Sequence, residues 1–310
     1  TTSRGGACAC ARALSIAQRL TLSVQAAAPA RCHGQPRRAV VESAIEALQA
    51  IWHRGAVDAD GKTGDGAGIH IEIPRDFFIE HIARTGHDDD GGRLAVGMVF
   101  LPRTDLAAQE RCRCIVEEEI LAFGHFIYGW RQVPVDISAL GQKAIATRPE
   151  IEQIMFSMPA GLGEEEAERQ LYVVRRRIEK AVLAELVTDF YICSLSTRSV
   201  IYKGMFLAEV LSDFYPDLQD QRLISRFAIF HQRFSTNTAP SWDLAQPFRY
   251  MCHNGEINTY RGNVIRMKAR EELFANEFFG DDMAHITPIV LPGKSDSSSM
   301  DMVVELLLHS

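Results

Sequence analysis

The sequence predicts an α+β fold. Two kinds of apolar period run through it: three- and four-residue spacing suited to helices, and alternation or short unbroken apolar runs suited to strands. They follow one another in mixed order, without the regular strand–helix alternation of a doubly wound parallel sheet. Composition agrees: 46% hydrophobic and 24% charged residues over 310 positions describe an ordinary globular protein of one large domain or two.

The first period is helical. In residues 37–52, Val41, Ala44, Ile45, Leu48, Ile51 and Trp52 recur on one face, and His53-Arg54-Gly55 ends it. Residues 58–68 form a glycine-rich loop. It is neither a phosphate loop nor a calcium loop, because Ala56 and Thr63 stand where those motifs need glycine. Ile69, Ile71 and Ile73 alternate as in a half-buried strand, and residues 94–101 are an unbroken apolar run suited to a buried one. Residues 106–123 read as a helix with Glu117, Glu118 and Glu119 on its solvated face; 126–133 and 151–158 read as strands. The long helix 164–186 carries Leu171, Val174, Ile178, Val182 and Leu186 as one stripe. Strands at 191–195 and 199–202, a short helix at 209–214, strands at 223–230 and 248–252 and a helix at 258–274 follow. Ser295 opens the last helix, 296–308, with Asp296 in its first turn. That helix runs into Ser310 without a glycine cap or breaker, so the sequence is expected to be a fragment of a longer protein.

Thirty-three basic against 40 acidic residues leave a net charge of −7, which argues against a nucleic-acid partner. The absence of an eighteen-residue apolar run argues against a membrane span. Seven cysteines, an odd count without a paired framework, point to reduced thiols and a cytoplasmic setting. Cys112 and Cys114 share a helical pattern with Val116, Ile120 and Leu121, so they read as buried or half-buried thiols rather than metal ligands.

The chemistry concentrates in residues 231–258, HQRFSTNTAPSWDLAQPFRYMCHNGEIN, a polar stretch between two apolar elements. Arg233 offers a fixed-charge fork suited to a carboxylate. Asn254 followed by Gly255 offers a side-chain amide beside an unhindered backbone N–H, the pair an oxyanion hole needs.

Four motifs carry a resemblance: HRGAVDADGKTGDGAG from His53, HQRFSTNT, AQPFRYMCHNGEIN and SDSSSMD. In this order they resemble the class II glutamine amidotransferase domain at the front of the glutamate synthase large subunit, from about Gly34 to the end. The resemblance implies a four-layer αββα sandwich of the N-terminal-nucleophile hydrolase type. It also implies hydrolysis of L-glutamine to glutamate and ammonia. Carried over position by position, Asn254 and Gly255 match the oxyanion-hole pair, Arg233 the residue that binds the substrate α-carboxylate, and Asp296 the residue that binds its ammonium. Ser235, Thr236 and His253 are expected to line or support the pocket, with His53 and Arg54. In glutamate synthases the ammonia passes to a second site, where it is added to 2-oxoglutarate with the help of FMN and an iron–sulfur cluster. No cofactor or metal is expected in these residues, which lack a cysteine cluster for such a centre. The implied partners are L-glutamine, downstream synthase domains of the same chain, and a small reductase subunit or ferredoxin. Two alternatives stay open: a glutamine-binding domain without catalysis, and the glutaminase of another class II amidotransferase.

Residues 1–33 depart from the resemblance. Residues 1–38 hold six Arg and no Asp or Glu, the first acid being Glu42. A transit peptide, a cleaved pro-segment and a start translated in the wrong frame compete, and the abrupt onset of resemblance at Gly34 favours the last. The segment is expected to pack poorly, leaving 34–310 as the amidotransferase domain. The family's cysteine nucleophile falls near Val24; Cys32 is too close to Gly34, and Cys8 and Cys10 are too early. The nucleophile is therefore unassigned, and the chain as written is expected not to hydrolyse glutamine.

Overall fold

The computed structural model describes strand pairing for residues 27–31, and residues 34–51, 55–232, 239–253, 255–274 and 277–310. Two four-stranded antiparallel sheets form its centre. The first runs β1 (Ala27–Arg31), β8 (Phe227–Gln232), β2 (Ala67–Glu72), β7 (Ser199–Gly204). The second runs β4 (Phe126–Gln132), β5 (Glu150–Met158), β3 (Arg93–Leu101), β6 (Tyr191–Ser196).

The alternation of β3 shows how the layers are stacked. Leu94, Val96, Met98 and Phe100 join the core between the sheets, with Ile69 and Ile71 of β2 and Tyr202 of β7. Ala95, Val99 and Leu101 point the other way, into a second core built with α3 (Leu106–Ala122) and α5 (Glu164–Ala184). The stripe of α5 is Leu171, Val174, Ile178 and Val182, all buried there. Each such side chain contributes about 1.5–3 kcal/mol by leaving water. On the outer side of the first sheet lies α1 (Arg38–Ala50), burying Val40, Val41, Ala44, Ile45 and Leu48. The result is the four-layer αββα sandwich.

Some elements differ from the sequence reading. Residues 223–226 are not strand: Ser225 only bridges to Arg37, and β8 starts at Phe227. Residues 248–252 form no strand; the Phe248 N–H donates to Met251 O at 2.9 Å and closes a turn. A helix not anticipated, α2 (Arg75–Arg84), buries only Phe77, Phe78 and Ile82, too few apolar positions to announce itself. Pairing in β1 begins at Ala27, seven positions before Gly34, where the sequence boundary was set. The remaining helices are α4 (Gln142–Thr147), α6 (Leu211–Phe214), α7 (Tyr260–Glu271), α8 (Met283–Ile286) and α9 (Asp296–His309).

Candidate active site

One end of the first sheet collects the motifs. Ala27 of β1 pairs with His231, and Ala67 of β2 pairs with both Gly204 and Gln232. The N-terminal end of β1 thus lies where β8 hands the chain to residue 233. Arg233, Ser235, Thr236 and Asn254, with His53 and Arg54, lie outside the described residues.

The glycine-rich loop explains how the chain packs at this end. The side chain of Asp60 accepts from Thr63 N at 2.7 Å and from Thr63 Oγ at 2.5 Å, an Asx-type turn that closes the loop on itself. Gly68 lets residue 246 approach: a Cβ there would stand 2.7 Å from Gln246 O, far inside contact distance. Gly68 therefore serves close packing between the loop and residue 246.

Gln246 is buried and makes a reciprocal amide pair with the His253 backbone. Its Nε2 donates to His253 O at 3.1 Å, and its Oε1 accepts from His253 N at 2.8 Å. Gly255 follows with φ +151°, a backbone region that side chains rarely adopt. A Cβ on Gly255 would also lie 3.4 Å from the His253 ring.

Asp296 arrives from the opposite direction, buried at the first position of α9, whose N-cap Ser295 accepts from Ser298 N at 3.1 Å. Its Oδ2 accepts from Ile257 N at 2.8 Å, and its Oδ1 from Ser297 N at 2.6 Å. His253 Nδ1 lies 3.3 Å from Ser297 Oγ. The structure therefore brings His253, Gly255 and Asp296 to one locality. Ile257 and the serines of SDSSSMD form the joint between them.

Lysines brace the outside of this locality. Lys294 Nζ lies 2.6 Å from Asp243 Oδ2. Lys203 of β7 is fully buried, donates to Asp243 O at 2.7 Å and sits over the rings of Tyr191 and Phe248. Burial drives its ammonium down to about 8. For Asp243, burial pushes the carboxyl up, but Lys294, Ser241 and Lys203 together outweigh it and the net direction is down. Gln246, Asp243 and Lys203 were not singled out from sequence. Gln246 lies inside a quoted motif and could have been found there; Lys203 carried no local signal.

A cavity of about 330 Å³ lined by Tyr191, Met205, Trp242 and Asp243 opens at this end. A larger one, about 810 Å³, lies at the far end of the sheet, beside Glu72, Arg75, Arg222 and Phe227, away from the motif residues. Among the described residues no group of three or more His, Cys, Asp or Glu is placed to hold a metal ion, and no helix is long and apolar enough to cross a membrane. Cys112 is buried and Cys114 half-buried on α3, as their helical spacing predicted.

The family profile described as class-II glutamine amidotransferases matches residues 27–310, and the chain belongs to that family. It is 61% identical over 277 residues to the glutamate synthase [NADPH] large chain of Azospirillum brasilense, covering 89% of this chain and 18% of the relative. It is 43% identical over 283 residues to ferredoxin-dependent glutamate synthase 2 of Synechocystis, covering 91% of this chain and 18% of that relative. It is 40% identical over 273 residues to the chloroplastic ferredoxin-dependent glutamate synthase of Spinacia oleracea, covering 87% and 17%. The chain thus spans less than a fifth of the length of these relatives.

Proposed function

We propose that this chain is the glutamine-binding and glutaminase portion of a glutamate synthase. In this reading Arg233 holds the substrate α-carboxylate and Asp296 its ammonium, while Asn254 and Gly255 donate to the oxyanion of the tetrahedral intermediate. Ser235, Thr236 and His253 support the pocket. The observation that carries it is the 2.8 Å bond from Ile257 N to Asp296 Oδ2, which joins the end of the HNGEIN motif to the start of SDSSSMD. A free amino acid must be held at both charged ends at a fixed distance from its reacting amide, and that requires these motifs to meet. One well-placed oxyanion donor contributes roughly 3–4 kcal/mol to the transition state.

The ammonia would go to downstream domains that add it to 2-oxoglutarate, with FMN and an iron–sulfur cluster held there. The higher identity to an NADPH-type relative favours a reductase subunit over ferredoxin as electron source. Free thiols at Cys112, Cys114, Cys193 and Cys252 support a cytoplasmic setting.

The family's cysteine falls near Val24, and no cysteine stands between Cys10 and Cys32. The chain as written is therefore expected to keep the glutamine-binding role of this portion and not to hydrolyse the amide. The test compares ammonia release and calorimetric glutamine binding by this chain with those of a version whose N-terminus is a Cys-Gly-led family sequence joined at Gly34. Binding by both, with turnover by the second alone, is expected. Equal turnover would show that the nucleophile is elsewhere, and no binding by either would overturn the site.

A further inference from the structure

The turn at residues 249–251 belongs to no strand, yet it leads directly into His253 and Gly255. Its anchor is Asp301, buried on α9 five positions after Asp296. Asp301 Oδ1 accepts from Tyr250 N at 2.8 Å and from Met251 N at 3.1 Å, and Oδ2 accepts from Arg249 N at 3.4 Å. Three consecutive amides converge on one carboxylate, as in the anion-binding nests of loops, with the anion supplied by the protein itself. Asp296 grips Ile257 from the same helix. One rigid element therefore holds the chain on both sides of Gly255.

We propose that Asp301 is a positioning residue of the glutamine site, fixing the turn 249–251 so that the Gly255 N–H stands where the oxyanion develops. This rests on the glutaminase reading.

The surroundings make the grip sensitive to pH. Arg249 Nη1 lies 3.9 Å from Asp301, and Arg249 Nη2 donates to Ile192 O at 2.6 Å. Arg175 and Glu179 of α5, Glu305 of α9, Tyr250, Tyr191 of β6 and Lys203 of β7 complete the charged and titratable neighbours. Burial and then Glu305 push the Asp301 carboxyl up, against Arg249 and the Tyr250 amide, to about 6. The ionised group accepts through both oxygens; protonation turns one of them into a donor. The grip loosens as pH falls through that value.

The test uses the full chain with the Cys-Gly-led N-terminus and three variants, Asp301→Ala, Asp301→Asn and Glu305→Gln. Asp301→Ala is expected to lower kcat on the order of 100-fold, the effect of losing an oxyanion donor, with KM for glutamine changed less than about threefold. Amide hydrogen exchange at Tyr250 and Met251 should accelerate. Asp301→Asn keeps one acceptor but puts an N–H donor where protonation puts an O–H, so at pH 7.5 it should show the reduced kcat that the parent reaches below about pH 6. It should also lose the fall in kcat below about pH 6 that the parent shows. Glu305→Gln breaks the buried pair with Arg175 and removes a charge that raises the Asp301 carboxyl, so it should lower Tm, leave kcat at pH 7.5 in place and move the acid limb to lower pH. An unchanged kcat in Asp301→Ala, or an unchanged acid limb in Asp301→Asn, overturns the proposal while the glutaminase reading stands. A parent that releases no ammonia overturns the reading, and the proposal with it. If Asp301→Ala does not fold, the pH profile of Asp301→Asn decides.

Discussion

In the sandwich, β3 is paired along both edges and buried on both faces, so no single side chain decides its place. At the site end, by contrast, residues 239–253 and 255–259 belong to no strand. There the backbone is held by individual polar side chains: Gln246 on His253, Asp296 on Ile257, Lys203 on Asp243. Redundant apolar contact makes a rigid frame whose losses are felt globally. Single hydrogen bonds make a site whose losses are felt locally, and a catalytic loop has to be adjustable in that way. The two regions should therefore answer substitution differently.

The largest effect is expected in the sandwich. Leu171 is fully buried in the stripe of α5 against the second sheet. Leu171→Ala removes its contacts and leaves a cavity, so unfolding in urea should show a loss of about 2–5 kcal/mol. Glutamine affinity of the molecules that remain folded should not move. A drop in affinity without a drop in stability would erase the distinction between the two regions.

At the site end, Gln246→Ala leaves the His253 N–H and C=O without their partner. The expected loss of stability is smaller, about 1–3 kcal/mol. Glutamine affinity should fall by about tenfold, equivalent to about 1.4 kcal/mol. Calorimetry and urea unfolding on the same preparation give both numbers. Unchanged affinity would mean that the amide pair serves the fold alone.

The same contrast governs what was legible in the sequence. The apolar run of β3 and the stripe of α5 were legible because burial is repeated along each element, and repetition is what periodicity detects. Ser295 and Asp296 were legible because a helix start has its own local chemistry. Residues 248–252 misled because an aromatic, apolar run has the composition of a strand, while its conformation comes from an acid some fifty positions away on α9. β1 reads AAPAR, with no apolar period; what makes it a strand is its partner β8. Gln246 and Lys203 carry no period either, since their part depends on which carbonyl they reach. Tertiary hydrogen bonds leave no spacing in the chain, so the elements of the sandwich were legible through physics, while its layering and the site end were legible through family motifs.

The smallest effect sharpens the comparison from the sandwich side, where one polar group lacks what the site end supplies. His125, just before β4, is buried near the rings of Phe123 and Phe156, and neither ring nitrogen has a hydrogen-bond partner among the described residues. Burial drives its pKa down from 6.5 to about 4. Between those values the unfolded chain binds a proton that the folded chain refuses. The contribution of His125 to stability is therefore complete above pH 6.5 and is lost as pH falls toward 4. His70, His81 and His309 are displaced in the same direction, also to about 4, so acid lability in this window is shared. His125→Phe substitutes an apolar ring among apolar rings and removes two unsatisfied nitrogens. It should raise stability at pH 7 by about 1 kcal/mol. It should also make the decline of stability from pH 6.5 to 4 shallower without abolishing it, because three histidines remain. Urea unfolding at pH 7, 6, 5 and 4.5 reads both effects. A variant less stable at pH 7, with an unaltered slope, would mean that His125 is paired in solution and that this part of the sandwich is held by polar contacts after all.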